Sequence, residues 1–236
     1  MRLSIITINY NNCEGLRRTA QSVVAQTFSE FEWIVIDGSS NDGSVDIIKF
    51  YDKHIRYWVS EPDKGIYNAM NKGIAQASGE YLLFLNSGDI FCSPKSLIRA
   101  TRVPWICDFV AFDEFVDGGR FLKSISTSPR KINYLFLLIG SLPHQSLFIK
   151  KTIMSQGYNE DYHIISDNIL CFEQLIVNDA TYQCYNIPIT LYDSTGISST
   201  NHEMFRKELY DYQGQYFDNK IRPKIKKTST PIDAIE

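Results

Sequence analysis

Ser78-Gly-Glu-Tyr-Leu-Leu-Phe-Leu-Asn-Ser-Gly-Asp89 is the stretch that decides the fold. Tyr81 to Leu85 is a continuous apolar run between turn residues, the pattern of a central strand covered on both faces. It runs straight into a polar turn that ends in a carboxylate. In open α/β sheets, ligands bind just beyond the carboxyl ends of such strands. An Asp there is placed to hold a divalent cation and, through it, a diphosphate. Taken alone, Asn86-Ser-Gly-Asp89 reads equally well as a loop whose Asp caps the next turn.

Working outward, the first hundred residues alternate strand and helix. Leu3 to Ile8, Glu32 to Ile36 and Arg56 to Val59 read as strands leading to Tyr81–Leu85. Between them lie helices over Cys13 to Ala25, Ser44 to Lys53 and Ile66 to Ala77. Leu16, Ala20, Val23 and Val24 recur at helical spacing in the first, and Ile66, Ala69, Met70, Gly73 and Ile74 in the third. Asn11 or Asn12 caps the first helix, and Asp42 the second. This alternation predicts βαβ units and an α/β fold with a mainly parallel central sheet. After Asp89 the pattern changes. Asp108 to Val116 and Arg120 to Ser124 read as a hairpin turning at Asp117-Gly118-Gly119. Ile132 to Ile139 reads as a helix over the site, and Gln145 to Ile149 as a strand. Ile165 to Val177 follows as a helix, then two short strands, Tyr182 to Tyr185 and Ile189 to Tyr192. Met204 to Phe217 closes the folded part as a helix.

The composition sets bounds. A chain of 236 residues fits one large α/β domain, and 44% apolar with 22% charged residues is ordinary for a soluble globular protein. A net charge of -3 gives no nucleic-acid footprint. The five cysteines are odd in number and scattered, with no Cys-x-x-Cys pair, so neither a disulfide framework nor a zinc site is indicated. The apolar run at the N-terminus is interrupted by Asn9, Asn11 and Asn12, and no other run approaches the ~20 residues of a membrane span. A cytoplasmic protein is expected.

Three upstream stretches accompany the deciding one: Ser4-Ile-Ile-Thr-Ile-Asn-Tyr-Asn11, Gln26 to Gly43 with Val35-Ile-Asp-Gly-Ser39 inside it, and Ser60-Glu-Pro-Asp-Lys-Gly-Ile-Tyr-Asn-Ala-Met-Asn-Lys-Gly73. In this order and spacing the set resembles family 2 glycosyltransferases, inverting nucleotide-sugar enzymes with the Rossmann-like GT-A fold. The resemblance is close over residues 1 to 92 and looser from about 140 to 200. It implies a nucleotide-sugar-binding half, 1–100, and an acceptor-binding half, 101–218, of one domain. It also implies Mg²⁺ or Mn²⁺ and a nucleoside diphosphate sugar donor, with UDP preferred. The implied acceptor is a saccharide or lipid-linked saccharide of bacterial surface polysaccharide synthesis.

Carried over residue by residue, the resemblance gives each motif a role. Thr7, Asn9 and Tyr10 border the base. Asp37 accepts the ring NH of the base; the family often has a second acid here, replaced by Ile36. Asp63 meets ribose or base, and Lys64 offsets diphosphate charge. Asp89 is the metal ligand. Relatives commonly carry Asp-x-Asp or Asp-Asp, so Asn86 departs from the acidic pattern and brings no charge. His144 faces the donor phosphates or the acceptor. Asp167, in Ile164-Ile-Ser-Asp-Asn168, stands where the family has its catalytic base. Ser166 or Asp167 serving only as a helix N-cap is the plain alternative.

Two other classes remain open on the residues alone. A non-catalytic nucleotide-sugar binder would account for Asn86, although Asp167 argues against it. A nucleotidyltransferase would need a Gly-rich, basic phosphate loop after the first strand, which Asn9-Tyr-Asn-Asn-Cys13 does not supply. Finally, Lys220-Ile-Arg-Pro-Lys-Ile-Lys-Lys227 lies in a loosely ordered basic tail, 219–236. Five basic residues without an acid predict peripheral contact with the anionic inner face of a membrane.

Overall fold

The computed structural model describes residues 2–117, 124–196 and 201–216. In chain order these form β1 (Leu3–Asn9), α1 (Cys13–Val24), β2 (Phe31–Asp37), α2 (Ser44–Phe50), β3 (Tyr57–Ser60), α3 (Ile66–Gln76) and β4 (Tyr81–Phe84). Then come β5 (Ile90–Phe91), α4 (Ser96–Ala100), β6 (Phe109–Val116), β7 (Ser124–Ser126), α5 (Tyr134–Ile139), β8 (Leu147–Lys150), α6 (Ser166–Phe172), β9 (Tyr182–Tyr192) and α7 (His202–Tyr216). One sheet runs through the molecule in the order β3-β2-β1-β4-β8-β6-β9-β5, with β7 on the side of β6. Its first four strands are parallel. Beyond β4 the directions mix: β8 is antiparallel to β4 and β6, whereas β6 and β9 are parallel.

Strand alternation feeds two cores. Ile6, Ile34, Leu82 and Phe84 face α3, packing on Ala69, Met70 and Ile74. Leu3, Ile5, Val35 and Leu83 face the other way, onto Leu16, Ala20 and Val23 of α1 and onto Ile47 and Ile48 of α2. Every residue of β1 and β4 is buried, as a central strand with helices on both faces requires. Gly73 is fixed by this packing, because a Cβ there would collide with Ile6. Glu32 is a buried acid in the sheet. Its carboxylate accepts from Ser4 Oγ (2.5 Å) and from the Ser78 and Gly79 amides (2.5 and 3.1 Å), which pins the turn that starts β4.

The structure departs from the expectations in three places. Tyr182 to Tyr192 is one strand, not two: its register on β6 slips on both sides of Asp113, skipping Asn186 and Ile187 and then Ile189, with Pro188 opposite Asp113. The helix expected to reach Val177 is α-helical only to Phe172. Glu173–Val177 then widens into a π turn, closed by the Asn178 amide on the Glu173 carbonyl at 3.0 Å. The second helix likewise stops at Phe50, with a 3₁₀ turn at Asp52–His54. β7 pairs antiparallel with β6 as a hairpin should, but 118–123, with the expected turn and most of the expected second strand, lie outside the described residues. The basic tail lies outside them too. Short β5 and α4 carry no sequence signal longer than a few residues. No helix among the described residues is long and apolar enough to cross a membrane.

Candidate active site

A cleft of about 880 Å³ opens beyond the carboxyl ends of β1, β2 and β4 and is closed on the far side by the residues before and within α6. One end of it is built by the parallel strands. The β1–β2 register sets Asn9 beside Asp37. Asn9 Nδ2 donates to Asp37 Oδ1 at 2.7 Å, and Asp37 accepts further from the Ser40 amide (2.9 Å), Ser40 Oγ (2.6 Å) and Ser60 Oγ (2.6 Å). Burial alone would raise this carboxyl, but the bonds from Ser40, Ser60 and Asn9 outweigh it and the group is held below the usual carboxylate value. Asp37 is fully buried and does not line the cleft. Thr7 does not line it either. Its hydroxyl donates to the Leu85 carbonyl (2.8 Å) and accepts from Trp33 Nε1 (3.0 Å) inside the sheet. Two of the residues expected at the base, Thr7 and Asp37, therefore stand behind the wall, tying β1, β2 and β4 together.

The wall itself is Asn9, Tyr10, Gly38, Pro62, Asp63 and Gly65. Tyr10 is 69% exposed, with its ring free on the rim. A Cβ on Gly38 would sit 3.0 Å from Asp63 Oδ2 and 3.1 Å from Tyr10 Cδ2. The missing side chain thus leaves a slot between an aromatic ring and a carboxylate oxygen. Asp63 Oδ1 is occupied by Lys72 Nζ at 2.6 Å, and the same ammonium pairs with Glu61 at 2.8 Å. Lys64, by contrast, is exposed and outside the cleft lining.

The other end gathers Asn86, Asp89, Glu114, His144, Asp167 and Tyr67. The turn after β4 is tight enough that Gly88 takes φ +112°, and a Cβ there would meet Asp193 Oδ2 at 2.8 Å. Asp89 behind it is buried, with Oδ1 accepting the Asp193 amide at 2.9 Å. Asp193 in turn is anchored by Arg18 at 2.7 Å. Burial pushes the Asp89 carboxyl up to about 6, against the opposing pull of His144. Burial likewise pushes Glu114 up to about 7, and its Oε2 has no hydrogen-bond partner among the described residues.

His144 sits among these acids. Its Nε2 is 3.2 Å from Asn86 Nδ2 and its Nδ1 3.4 Å from Asp167 Oδ2. Because the Asn86 amide donates, Nε2 accepts, which assigns the ring proton to Nδ1 facing the carboxylate. Burial would depress the imidazole, but Asp167, then Asp89 and Glu114, raise it above its ordinary value. Asp167 lies in the first turn of α6, and no side chain caps that helix. Its carboxylate is turned instead into the cleft, where Tyr67 Oη donates to Oδ1 at 2.7 Å. The helix-cap alternative is thereby replaced by a carboxylate shared between α3 and the His144 turn.

The donor set near β4 suits a hard divalent cation. Asp89 supplies a carboxylate, and Asn86 Oδ1 is a buried oxygen with no partner among the described residues. No group of three or more acidic, His or Cys side chains is arranged to hold a metal among the described residues. Such a pair fits an ion that keeps waters and takes the rest of its ligands from phosphate.

Comparison with known proteins settles the family. The family described as Glycosyl transferase family 2 matches residues 4–103. An uncharacterized glycosyltransferase of Mycobacterium tuberculosis (strain ATCC 25618 / H37Rv) is 35% identical over 210 residues, 84% of this chain and 77% of its own length. The chain belongs to glycosyltransferase family 2. A PGL/p-HBAD biosynthesis glycosyltransferase of Mycobacterium bovis (strain BCG / Pasteur 1173P2) is 28% identical over 182 residues, 72% of this chain and 69% of its own length. In fold, the chain is similar to S. aureus TarS 1-349 in complex with UDP-GlcNAc: TM-score 0.69, 17% identity, 98% of this chain and 76% of that one. It is also similar to a mannosyltransferase from Pyrobaculum calidifontis in complex with GDP-Man and Mn²⁺: TM-score 0.66, 14% identity, 98% of this chain and 66% of that one. The fold is thus the α/β, GT-A type, with the antiparallel pairing confined to the part of the sheet beyond β4.

Of the residues singled out in the sequence, the cleft brings together Asn9, Tyr10, Asp63, Asn86, Asp89, His144 and Asp167, and leaves out Thr7, Asp37 and Lys64. Tyr67 and Glu114 line it without having been anticipated. Each had a signal. Asp113-Glu114 is an acidic pair inside the apolar run Phe109–Val116, and Tyr67 is a polar-tipped ring on the inward stripe of α3 with Met70 and Ile74.

Proposed function

We propose that this glycosyltransferase moves a sugar from a nucleoside diphosphate, UDP by preference, to an acceptor hydroxyl with inversion at the anomeric carbon. The observation that carries the reading is Asp167, a carboxylate held by Tyr67 and His144 in the end of the cleft that also holds Asp89. The base of the nucleotide stacks on Tyr10 above Gly38, with Asp63 Oδ2 as acceptor for its ring NH; Asp37 acts through Asn9, as a strut. The diphosphate lies towards Asp89 and Asn86, which would hold Mg²⁺ or Mn²⁺. That ion, when bound, would stabilise negative charge gathering on the leaving diphosphate. His144 lines the same end of the cleft, its Nε2 towards Asn86 and its Nδ1 towards Asp167. Asp167 takes the proton of the acceptor hydroxyl as its oxygen attacks the anomeric carbon and the bond to the diphosphate breaks. Residues 1–100 would thus serve the donor and 101–218 the acceptor. For the acceptor we propose a saccharide or lipid-linked saccharide of bacterial surface polysaccharide synthesis, a reading supported by the similarity to a glycosyltransferase of PGL/p-HBAD biosynthesis.

The test is transfer by purified protein from a panel of UDP-, GDP- and dTDP-sugars, with Asp167→Asn beside the wild type. General-base loss costs about 10² to 10⁴ in kcat while donor binding by calorimetry stays intact. An Asp167→Asn enzyme of near wild-type kcat would remove the base from Asp167.

A further inference from the structure

The phenol of Tyr67 has one proton and two acceptors. Its Oη lies 2.7 Å from Asp167 Oδ1 and 2.7 Å from the Ile164 carbonyl oxygen. Both acceptors come from the segment that leads into α6, whereas the phenol is fixed on α3 by its burial and by ring contact with Tyr158 at 5.3 Å. A hydroxyl cannot donate fully to both, so the nearby charge decides where the proton points. While Asp167 is ionised, the charge-assisted bond to Oδ1 is roughly twice as strong as one to a neutral carbonyl and wins the proton. Once Oδ2 has been protonated, Oδ1 is an ordinary acceptor and the phenol proton turns to Ile164 without leaving its oxygen.

Resting on the reading of Asp167 as base, we propose that Tyr67 is a positioning residue: it clamps Oδ1, so that Oδ2 is the oxygen presented to the acceptor hydroxyl, and the Ile164 carbonyl receives the phenol proton when that transfer is complete. The balance is simple. The acceptor O–H breaks, its proton ends on Oδ2, its oxygen bonds to the anomeric carbon, and the leaving diphosphate carries off the electron pair of the broken C–O bond. Tyr67 gives up no proton at any stage. Burial first, and then the charge of Asp167, raise this phenol well above its ordinary value, which keeps it a donor. The groups facing Asp167 are few: Tyr67 from α3, His144 from the turn before β8, the Tyr158 ring, and Cys171 one turn along α6. His144 Nδ1 stands 3.4 Å from Oδ2, longer than the phenol bond, so it marks the presented oxygen without closing it off.

The experiment is Tyr67→Phe, which keeps the ring and its packing. The expected result is a roughly tenfold fall in kcat, unchanged affinity for the nucleotide sugar by calorimetry, and an acidic limb of the kcat/KM profile moved to higher pH. Tyr158→Phe is the control. Its hydroxyl has no partner among the described residues, so its removal should leave the limb in place. His144 also titrates beside Asp167, so the profile is repeated with Tyr67→Phe placed in His144→Gln. A shift that persists there supports the inference, and one that vanishes assigns the limb to His144 and overturns it. An unmoved limb, or full activity, in Tyr67→Phe overturns it as well. Asp167→Asn separates the two readings. If it stays active, the base assignment has failed; if it is dead while the Tyr67→Phe limb is unmoved, only the clamp has.

Discussion

Two buried carboxylates end neighbouring parts of the sheet, and they are built to opposite specifications. Asp37, closing β2, takes hydrogen bonds from the Asn9, Ser40 and Ser60 side chains and the Ser40 amide, and is held below its ordinary value despite burial. Asp89, after β4, is given one amide and pushed up to about 6. Glu114, at the same end of the cleft, rises to about 7 with one oxygen orphaned. The same residue chemistry at similar burial therefore does two jobs. A carboxylate that its own fold has saturated is a strut, and one left short of donors is a candidate for a binding role.

The comparison breaks most visibly in turnover. On the proposed reading, Asp89→Asn removes the charge that would hold the cation. On the order of 10² to 10³ should be lost from kcat, the scale seen when one group aimed at a developing charge is removed. Thermal melting should show the fold intact. Activity of that variant equal to wild type, or wild-type activity untouched by excess chelator, would detach Asp89 from the metal.

Stability against pH sharpens the contrast. For Glu114 the native value, about 7, exceeds the unfolded value of 4.5, so the folded state binds more protons in between. Stability from this group is then present below about pH 4.5 and declines as pH rises through 7, by at most roughly 3 kcal/mol at 1.36 per pH unit. Glu114→Gln should flatten that decline and stabilise the free protein near pH 8. Asp37 runs the other way. Its depressed value contributes stability above 3.8 that is lost as pH falls further. Asp37→Asn should destabilise at neutral pH by about 1–3 kcal/mol, since several buried donors lose their acceptor. Urea titrations at several pH values read both signs; equal signs would end the distinction between strut and reserve.

Why the sequence exposed one of these ends better than the other is a matter of range. β1, β2 and β4 are written as apolar runs with helical stripes between them, local signals that burial on both faces enforces. Asp89 and Asp167 were legible because each follows a strand or opens a helix at a turn. Thr7 and Asp37 were misplaced because a strand-end polar residue looks the same whether it turns into the cleft or into the sheet. Only the contacts to Trp33, Leu85, Ser40 and Ser60, at separations of up to 78 residues, decide it. The second half was harder for the same reason. The bulge at Asp113 that makes one strand of Tyr182–Tyr192 depends on pairing across some seventy residues, and no local rule announces it.

The smallest effect concerns two lysines of one loop and helix. The motif drew attention to Lys64, next to Asp63 in a loop that the resemblance turns towards a diphosphate. The structure instead spends Lys72, two turns into α3, on that loop: its ammonium meets Asp63 at 2.6 Å and Glu61 at 2.8 Å. Burial works against that charge, but the bonds to Asp63 and Glu61 raise it above the ordinary lysine value. Lys64 is exposed and outside the cleft lining, where screened charges are worth a few tenths of a kcal/mol. Lys64→Ala should therefore leave nucleotide-sugar affinity within about twofold. Lys72→Ala should weaken it several-fold, by releasing the Asp63 carboxylate from its place above Gly38. Calorimetric titration with UDP and with a UDP-sugar compares the two directly. A larger loss for Lys64→Ala than for Lys72→Ala would mean that the loop folds over the diphosphate once the donor is bound. The base end of the cleft would then be as unfinished without its ligand as the end that holds Asp89.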